Sequence, residues 1–392
     1  MISKRNDTIF IVSQFFSALI FTIPIWIVFY QQRITTVQIS LLVAVQYASQ
    51  LILELPTGAL ADIFGRKWSV VAGHIAWALA AILLLTSHGF AEMLIAVIIW
   101  GLGDALVSGA LEALVYDSHK QDGLEQTYSK VTARNSFWYQ IGLVVAVASG
   151  GVLYGIWQGL PYVGWAATSV VGGIIALFFI EPAIDSARFT IRSYFFQMKR
   201  GLLEAFKSKS AAFMSLFYIA VAGITWTNNL YFFDFILVEL GFADAMRGYL
   251  IGGIRLFNVF VLTAFLKNNH IFTRKRLIYF FPAMMLLCFL PGILFQGWWA
   301  VPFIAGAVMV GTGRWIVLTR YTNEQFDSKY RATAISALSM IVGVVYVVIT
   351  SLSGPIIASY GVRMIYTILG VLTLITVLPL SIVLVGNQKA IS

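Results

Sequence analysis

Long apolar runs alternate with short polar gaps along the whole chain, and this pattern predicts a set of long helices. Each run holds about 20 residues or more, which is the length an α-helix needs to cross the hydrocarbon core of a bilayer. One long polar gap, 182–209, divides the runs into six and six. The predicted spans are 8–30, 37–60, 68–87, 91–117, 131–156, 162–181, 210–238, 245–266, 276–296, 298–320, 331–357 and 362–386.

The composition excludes a soluble protein. Of the 392 residues, 59% are hydrophobic and 11% charged, against about 25% charged in typical soluble domains. The single cysteine, Cys288, excludes an intramolecular disulfide. The sequence contains no Walker loop, HExxH motif or GxSxG elbow, and its four histidines are scattered. We therefore expect no enzyme and no metal or other cofactor.

The net charge of +9 comes from basic residues in the gaps between the apolar runs. If the N-terminus is cytoplasmic, all but five of the 26 Lys and Arg residues fall on the cytoplasmic side, as the positive-inside rule requires. This distribution predicts that both termini are cytoplasmic. It resembles no nucleic-acid-binding pattern. The five exceptions are Arg33, Arg247 and Arg363 in outside loops and Arg255 and Arg314 inside spans.

The 6+6 arrangement predicts three parts: an N-terminal bundle 1–185, a basic linker 186–209 and a C-terminal bundle 210–392. The two halves resemble each other at "ADIFGRK", residues 61–67, and "NHIFTRK", residues 269–275. The linker stretch "IRSYFFQMKRGLLEAFKSK" is either an amphipathic helix on an anionic lipid surface or a solvated connection.

The stretch "GALADIFGRK", residues 58–67, resembles the loop between spans two and three of the major facilitator superfamily. That pattern runs Gly-x-Leu-x-Asp-(Arg)-x-Gly-Arg-(Arg/Lys), and Ile63 stands where a basic residue is usual. The resemblance implies an all-α integral membrane fold with twelve transmembrane helices in two pseudo-symmetric six-helix bundles. The matching residues are Gly58, Leu60, Asp62, Gly65, Arg66 and Lys67.

The chemistry of this loop can be considered residue by residue. Gly58 and Gly65 permit the tight turns of a short connection. Arg66 and Lys67 obey the positive-inside rule. Asp62 does not help to set the orientation of the chain in the membrane. A carboxylate at this position can accept hydrogen bonds from the backbone N–H groups at the N-terminus of an opposing helix.

The resemblance implies that this opposing helix is span eleven, which begins near Arg331, and that Arg66 pairs with an acid ending span four. Asp117 stands at that position. Such a cluster would hold the two halves together on the cytoplasmic side in one state and release them in the other. The alternative is that these residues only anchor topology.

Charged residues inside membrane spans are costly and are functional candidates. In one interpretation, a buried carboxylate binds and releases a proton as the halves rock. In the other, acids and arginines form permanent pairs that hold helices in register. Asp104 and Glu112, eight residues apart, are expected on one face of span four about 12 Å apart. The candidates are Glu54, Asp104, Glu112, Asp234, Arg255 and Arg314.

The basic candidates leave alternatives open. Arg134, at the start of span five, can pair with Glu112 or Glu54. Arg255 and Arg314 can bind a substrate carboxylate or phosphate, or pair with acids in the spans.

"SGALEALVYDS", residues 108–118, and "RATAISALS", residues 331–339, resemble bacterial efflux members of the family. We therefore predict a monomeric transporter of the bacterial inner membrane that exports a small amphiphilic organic solute in exchange for protons. The chain departs from drug antiporters at Asp104-Ala105, where many carry arginine, and at "VASGGVLYG", which lacks their proline. A proton-coupled importer or facilitator of an anionic or zwitterionic metabolite, a lipid-handling transporter and a transport-dead sensor therefore remain alternatives.

Overall fold

A computed structural model describes residues 1–183, 191–267, 273–314 and 318–389. The regular structure in these residues is helical throughout. The α-helices are α1 Ile2–Ser17, α2 Trp26–Gln31, α3 Thr36–Phe64, α4 Arg66–Thr86, α5 Phe90–Val107, α6 Ala110–Gln121, α7 Tyr128–Ile156, α8 Leu160–Ala176, α9 Ile191–Ala205, α10 Lys209–Thr227, α11 Phe233–Glu239, α12 Asp244–Lys267, α13 Arg274–Phe289, α14 Val301–Gly313, α15 Thr319–Asn323, α16 Arg331–Tyr360, α17 Val362–Leu372 and α18 Leu378–Lys389.

The helices follow the predicted spans. Within the described residues, eight helical segments are long and apolar enough to cross a membrane, and two shorter apolar helices accompany them. The pair α1 and α2 and the single helix α12 occupy the two remaining predicted spans. The predicted all-α, twelve-span membrane fold is therefore confirmed.

The chain forms two compact units. The first comprises Met1–Ile191 with Ala243–Gly252, and the second comprises Arg192–Phe242 with Gly253–Ser392. In the first unit, α4 and α5 form the centre, with α3 packed on α5 and α8 on α4. In the second, α10 is central and packs against α14, α16 and α18.

Several predicted spans are not single continuous α-helices. The first is interrupted between α1 and α2, where Pro24 supplies no backbone N–H. The seventh contains a π-helical turn at Asn228–Phe232, and the twelfth contains another at Thr373–Val377. Such single π turns occur often at functional sites.

The fourth span is also broken, and this break corrects the expectation for Asp104 and Glu112. Helix α5 ends at Val107, Ser108 has φ −45° and ψ −175°, and α6 begins at Ala110. Gly109 between them has φ +24°, a conformation that favours glycine. Because the helix stops between the two acids, the expectation of one shared helix face is wrong.

The connection between α3 and α4 is shorter than expected. Helix α3 continues through Pro56 and Gly58 to Phe64, so Gly65 is the whole loop. Gly65 has φ +96° and makes the turn alone. The expectation that Gly58 makes a second turn is wrong, because its backbone stays helical.

The linker and the second loop copy are only partly described. Residues 184–190 of the linker and residues 269–272 of "NHIFTRK" lie outside the described residues. Helix α9 places Met198 inward, and Gly201 lies against the backbone of Thr333. Phe196 and Leu203 are exposed on α9.

Candidate functional site

The broken fourth span creates carbonyl groups that have lost their helical partners, and hydroxyl groups of neighbouring helices approach them. The Ser69 hydroxyl on α4 donates to the Leu106 carbonyl at 2.7 Å. The Thr57 hydroxyl on α3 lies 3.1 Å from the Ala105 carbonyl and also reaches carbonyls of its own helix. These contacts stabilise the end of α5, because an unpartnered carbonyl away from water is costly.

Asp104 stands one turn before this break, half-buried, and both of its carboxylate oxygens accept hydrogen bonds. Gln46 Nε2 donates to Oδ2 at 2.8 Å, and Trp77 Nε1 donates to Oδ1 at 2.9 Å. Both donors are neutral. Among the residues that the structure describes, no Lys, Arg or His forms an ion pair with Asp104. In the described part of the chain, neutral dipoles are therefore the groups that hold this carboxylate.

A cavity of ≈ 280 Å³ opens beside the Asp104 carboxylate within the first unit. Its wall combines aromatic side chains with amide and hydroxyl groups and two aliphatic side chains. Such a mixture of apolar surface and convergent polar groups suits a small molecule that has both an apolar and a polar part. The lining residues are Gln14, Ser17, Ile20, Gln50, Trp77, Trp100, Asp104, Val107, Ser108, Tyr139 and Trp165.

A second cleft, of ≈ 160 Å³, lies beyond the break and is bordered by α3, α5, α6 and the first residue of α4. Glu54 and Asp62 contribute carboxylates to its wall, and Arg66 contributes a guanidinium group. Both acids are exposed. Most of the remaining wall consists of Ala and Gly, including Gly58 and Gly109, so the space between the charged groups is open.

The Gly65 turn is held by two carboxylates from other parts of the first unit. Asp117 on α6 forms an ion pair with Arg66, the pairing that the family resemblance implies. Glu181, just after α8, accepts the backbone N–H groups of Arg66 and Lys67 at 2.8 and 2.9 Å. A carboxylate at these first two amides of α4 complements the positive end of the helix dipole.

Sequence reasoning missed Glu181, because nothing in its local pattern shows that the chain after α8 returns to the start of α4. It also missed the tryptophan residues around Asp104. For Trp100 a signal existed, since it lies four residues before Asp104 and therefore one helical turn away. Trp77 lies on another helix, so its contact with Asp104 carries no local signal.

The structure does not bring Glu112 and Arg134 together. In the described part of the chain, Arg134 forms no ion pair with Glu112 or Glu54, so that expected pairing is wrong. Arg134 instead borders a separate cleft of ≈ 160 Å³ with Trp138. Glu112 is exposed on α6.

In the second unit, Arg314 follows directly after α14 and is 5% exposed. Its Nη1 donates to the Tyr218 hydroxyl at 3.2 Å, and the guanidinium carbon lies 5.5 Å from the centre of the Tyr218 ring. Arg255 is half-buried on α12, and Asp234 is half-buried at the start of α11. A buried guanidinium beside a phenol is a suitable group for binding an anion.

The π-helical turn lies in the same unit and also presents polar groups. The Asn229 side chain donates to the Val308 carbonyl at 3.3 Å, and Gly311 on α14 leaves room for this amide. Asn228 is fully buried.

The amino-acid sequence is similar to a protein family whose fold agrees with the one described above. Residues 8–317 match the model of the Major Facilitator Superfamily. The chain is 24% identical over 368 residues to the "Uncharacterized MFS-type transporter YxaM" of Bacillus subtilis (strain 168), covering 92% of this chain and 91% of that protein. It is 23% identical over 285 residues to the "Quinolone resistance protein NorA" of Staphylococcus aureus (strain MRSA252), covering 71% and 70%.

Solved structures show the same fold. The nucleoside transporter NupG aligns with a TM-score of 0.76 at 12% identity, over 99% of both chains. A bacterial homolog of the human lysosomal transporter Spinster aligns with a TM-score of 0.74 at 14% identity, over 99% of this chain and 97% of that one. At these identities the likeness concerns the fold alone. Together with the family match over most of the chain, these findings show that the protein is a membrane transporter of the Major Facilitator Superfamily and not an enzyme.

Proposed function

We propose that this transporter exports a small amphiphilic organic solute in exchange for protons, and that Asp104 is the carboxylate for which proton and solute compete. The observation that carries this proposal is the Asp104 carboxylate beside an aromatic cavity, held by two neutral donors and by no described cation.

The coupling follows from electrostatics. A carboxylate in a low-dielectric site is stabilised either by binding a proton or by a nearby cation. Once the carboxylate is protonated it is neutral and attracts a cation only weakly, so the two compete for it. Protonation of Asp104 removes the attraction for a cationic solute, and binding of the solute favours loss of the proton. If the site faces the two sides of the membrane in turn, this competition exchanges one species for the other.

The cavity wall supports an amphiphilic solute. Trp77, Trp100, Trp165 and Tyr139 present flat apolar surfaces that bind aromatic rings, and their π faces attract cationic groups. The similarity to a quinolone resistance protein supports the same class, because quinolones combine an aromatic ring system with ionisable groups.

The test is transport by purified protein in liposomes with an imposed pH gradient, measured in both directions. The probes are ethidium and a fluorescent quinolone as amphiphilic solutes. Asp104→Asn keeps the shape and an acceptor oxygen for the Trp77 indole, and its NH2 group can donate to the Gln46 oxygen once the Gln46 amide turns over. Because it removes the ionisable proton, we expect gradient-driven probe movement to be lost. Glu125→Gln, at an exposed loop acid outside both clefts, is the matched control. Gradient-driven transport that survives in Asp104→Asn would refute the assignment.

A second candidate function rests on Arg314. Its buried guanidinium and the Tyr218 hydroxyl favour a solute with a carboxylate or phosphate, taken up with protons or by facilitated diffusion. The same liposomes separate the two functions. Inward movement of a radiolabelled anionic or zwitterionic metabolite, lost in Arg314→Gln and retained in Asp104→Asn, would favour the importer.

The proposal includes a gate at the Gly65 turn. Asp117 and Glu181 hold the turn within the first unit, and the exposed Asp62 carboxylate borders the same cleft as Arg66, so a change at this turn alters the surroundings of Asp62. Asp62→Asn should slow exchange without changing probe affinity. Equal exchange rates in Asp62→Asn and the parent protein would show that the turn only anchors topology.

The cellular setting is part of the same proposal. The distribution of basic residues supports cytoplasmic termini, and the bacterial relatives support the inner membrane. We place the transporter there as a monomer. The exposed Phe196 and Leu203, with Lys199 between them on α9, support a contact of this helix with anionic lipid.

A further inference from the structure

Helix α3 carries a stripe of residues spaced by four, four of them polar, that runs from the Asp104 cavity to the Gly65 turn. The stripe consists of Gln46, Gln50, Glu54, Gly58 and Asp62. Neighbouring members of the stripe lie about one turn apart, about 6 Å along the helix axis, and each step of four residues moves about 40° around it. Because Thr36–Phe64 is one continuous helix, the stripe winds steadily around α3 from the Asp104 cavity to the second cleft.

The stripe joins the two clefts of the first unit. Gln46 is bonded to Asp104, and Gln50 borders the aromatic cavity. Glu54, Gly58 and Asp62 border the second cleft. Exposure increases along the same direction, since the two glutamines are half-buried and both acids are exposed.

We propose that this stripe is the route by which protons travel between Asp104 and the water at the Gly65 end, with Glu54 as the relay. The inference rests on the proposed role of Asp104 and adds the path by which its proton leaves. The charge distribution predicts that the Gly65 end is cytoplasmic.

Glu54 is suited to the relay by position and chemistry. It is the one ionisable residue of the stripe between the Asp104 cavity and Asp62. It lies about 12 Å along the helix axis from Gln46, the partner of Asp104, and the proposed route therefore includes ordered water between the two carboxylates. Glutamine side chains donate and accept hydrogen bonds and can order such water but cannot carry the proton. The small residues around Gly58 and Gly109 leave space for water further along.

The charged and titratable groups around Glu54 are compatible with this role. Tyr47 lies close enough to Glu54 and Asp104 to interact with both carboxylates. Asp62 and Arg66 share the second cleft with Glu54, and Arg66 is already paired with Asp117. The positive charge that borders this cleft is thus partly neutralised by Asp117 and does not lock Glu54 in one state.

The transfer conserves protons and needs no co-reactant. The O–H bond of protonated Asp104 breaks, a water chain along Gln50 passes the proton, and an O–H bond forms on the Glu54 carboxylate. Glu54 then releases the proton to water at the exposed end and returns to its ionised form.

The test uses the purified transporter in lipid nanodiscs and needs no solute. The Trp77 indole donates to Asp104, so its fluorescence reports the charge of that carboxylate. The signal is isolated as the difference between the parent protein and Trp77→Phe, and Asp104→Asn must abolish its pH dependence. After a rapid pH jump, the relaxation of this signal measures how fast Asp104 exchanges protons with water.

In Glu54→Gln we expect the relaxation to slow by about tenfold or more, with the titration midpoint of the Trp77 signal nearly unchanged. Gln50→Leu, which removes the water-ordering amide, should slow it as well. Glu125→Gln is the matched control and should relax at the parent rate. If the titration midpoint of the Trp77 signal moves in Glu54→Gln, the relaxation rate of Gln50→Leu decides whether the route exists, because that substitution alters no charge.

Two results distinguish the proton route from the role of Asp104. A Trp77 signal that titrates normally but relaxes at the parent rate in both Glu54→Gln and Gln50→Leu would overturn the route and leave the role of Asp104 intact. A parent protein whose Trp77 signal shows no dependence on pH would overturn the role of Asp104, and the route with it.

Discussion

Gly101 lets α3 and α5 approach closely, and its replacement by alanine tests how the Asp104 site is built. A Cβ atom at position 101 would lie 2.5 Å from the Gln46 carbonyl oxygen, 2.9 Å from Ser49 Cβ and 3.0 Å from the Gln50 nitrogen. Two of these atoms belong to the backbone and cannot rotate away. Since carbon atoms prefer separations of about 3.5–4.0 Å, the helices must separate by roughly 0.5–1 Å.

The cost follows from two opposing terms. Overpacking in a well-packed interior costs about 1–3 kcal/mol, whereas replacing a helical glycine by alanine gains about 1 kcal/mol. Gly155→Ala is the matched control, because Gly155 is helical and a Cβ atom added there would meet nothing within 4 Å. The two variants should therefore differ by about 1–3 kcal/mol. For a unit of this size each kcal/mol shifts the midpoint by about 2–4 °C.

The assay is thermal unfolding in detergent at one fixed scan rate, because unfolding of such proteins is commonly irreversible and the midpoint depends on the rate. Gly101→Ala should unfold at a lower temperature than Gly155→Ala. The separation of the helices should also lengthen the Gln46–Asp104 hydrogen bond, now 2.8 Å, and alter the Trp77 signal. Equal midpoints for the two variants would refute the close packing of α3 on α5.

Two further predictions concern the ends of helices in the first unit. Ser69→Ala leaves the Leu106 carbonyl at the break without its hydroxyl donor and should lower the free energy of unfolding in detergent by about 0.5–2 kcal/mol. Ser149→Ala is the control and should cost less, because the Ser149 hydroxyl donates to a carbonyl of its own helix. Equal losses of stability in the two variants would contradict the capping role of Ser69. The Ser3 hydroxyl and the Ser3 backbone N–H donate to the Asp122 carboxylate and hold its pKa below the usual value. The contact therefore stabilises the start of α1 at neutral pH, and this contribution is lost as the pH falls through the lowered pKa. The measurement is the rate of amide hydrogen exchange at the start of α1, corrected for its intrinsic pH dependence. This rate should rise on acidification in the parent protein and change less in Ser3→Ala. Identical pH profiles in the two proteins would contradict the role of the Ser3–Asp122 contact.

The length and spacing of the apolar runs were enough to predict the membrane fold. A bilayer core accepts only structures that satisfy their own backbone, so each run of about 20 apolar residues has to be helical. The Gly65 turn was also evident, because a glycine between a helix and a basic pair is a local signal. The ion pair of Arg66 with Asp117 came from the resemblance to a family, since the two residues are far apart in sequence.

The breaks inside spans could not be predicted by the same reasoning. Gly109 alone is compatible with a helix, and the fourth span stops there because Thr57 and Ser69 on other helices accommodate the carbonyl groups that it frees. For the same reason the predicted face shared by Asp104 and Glu112 does not exist.

What the sequence by itself determined is the number of spans, their helical character and the presence of acids within them, because hydrophobicity and backbone satisfaction act locally along the chain. What only the tertiary structure decided is which acid has a site. Gln46 and Trp77 reach Asp104 from two other helices, while Glu54 borders a separate cleft on α3. A carboxylate acquires its chemistry from the donors, cavity and water around it, and helix packing brings these together from distant parts of the chain.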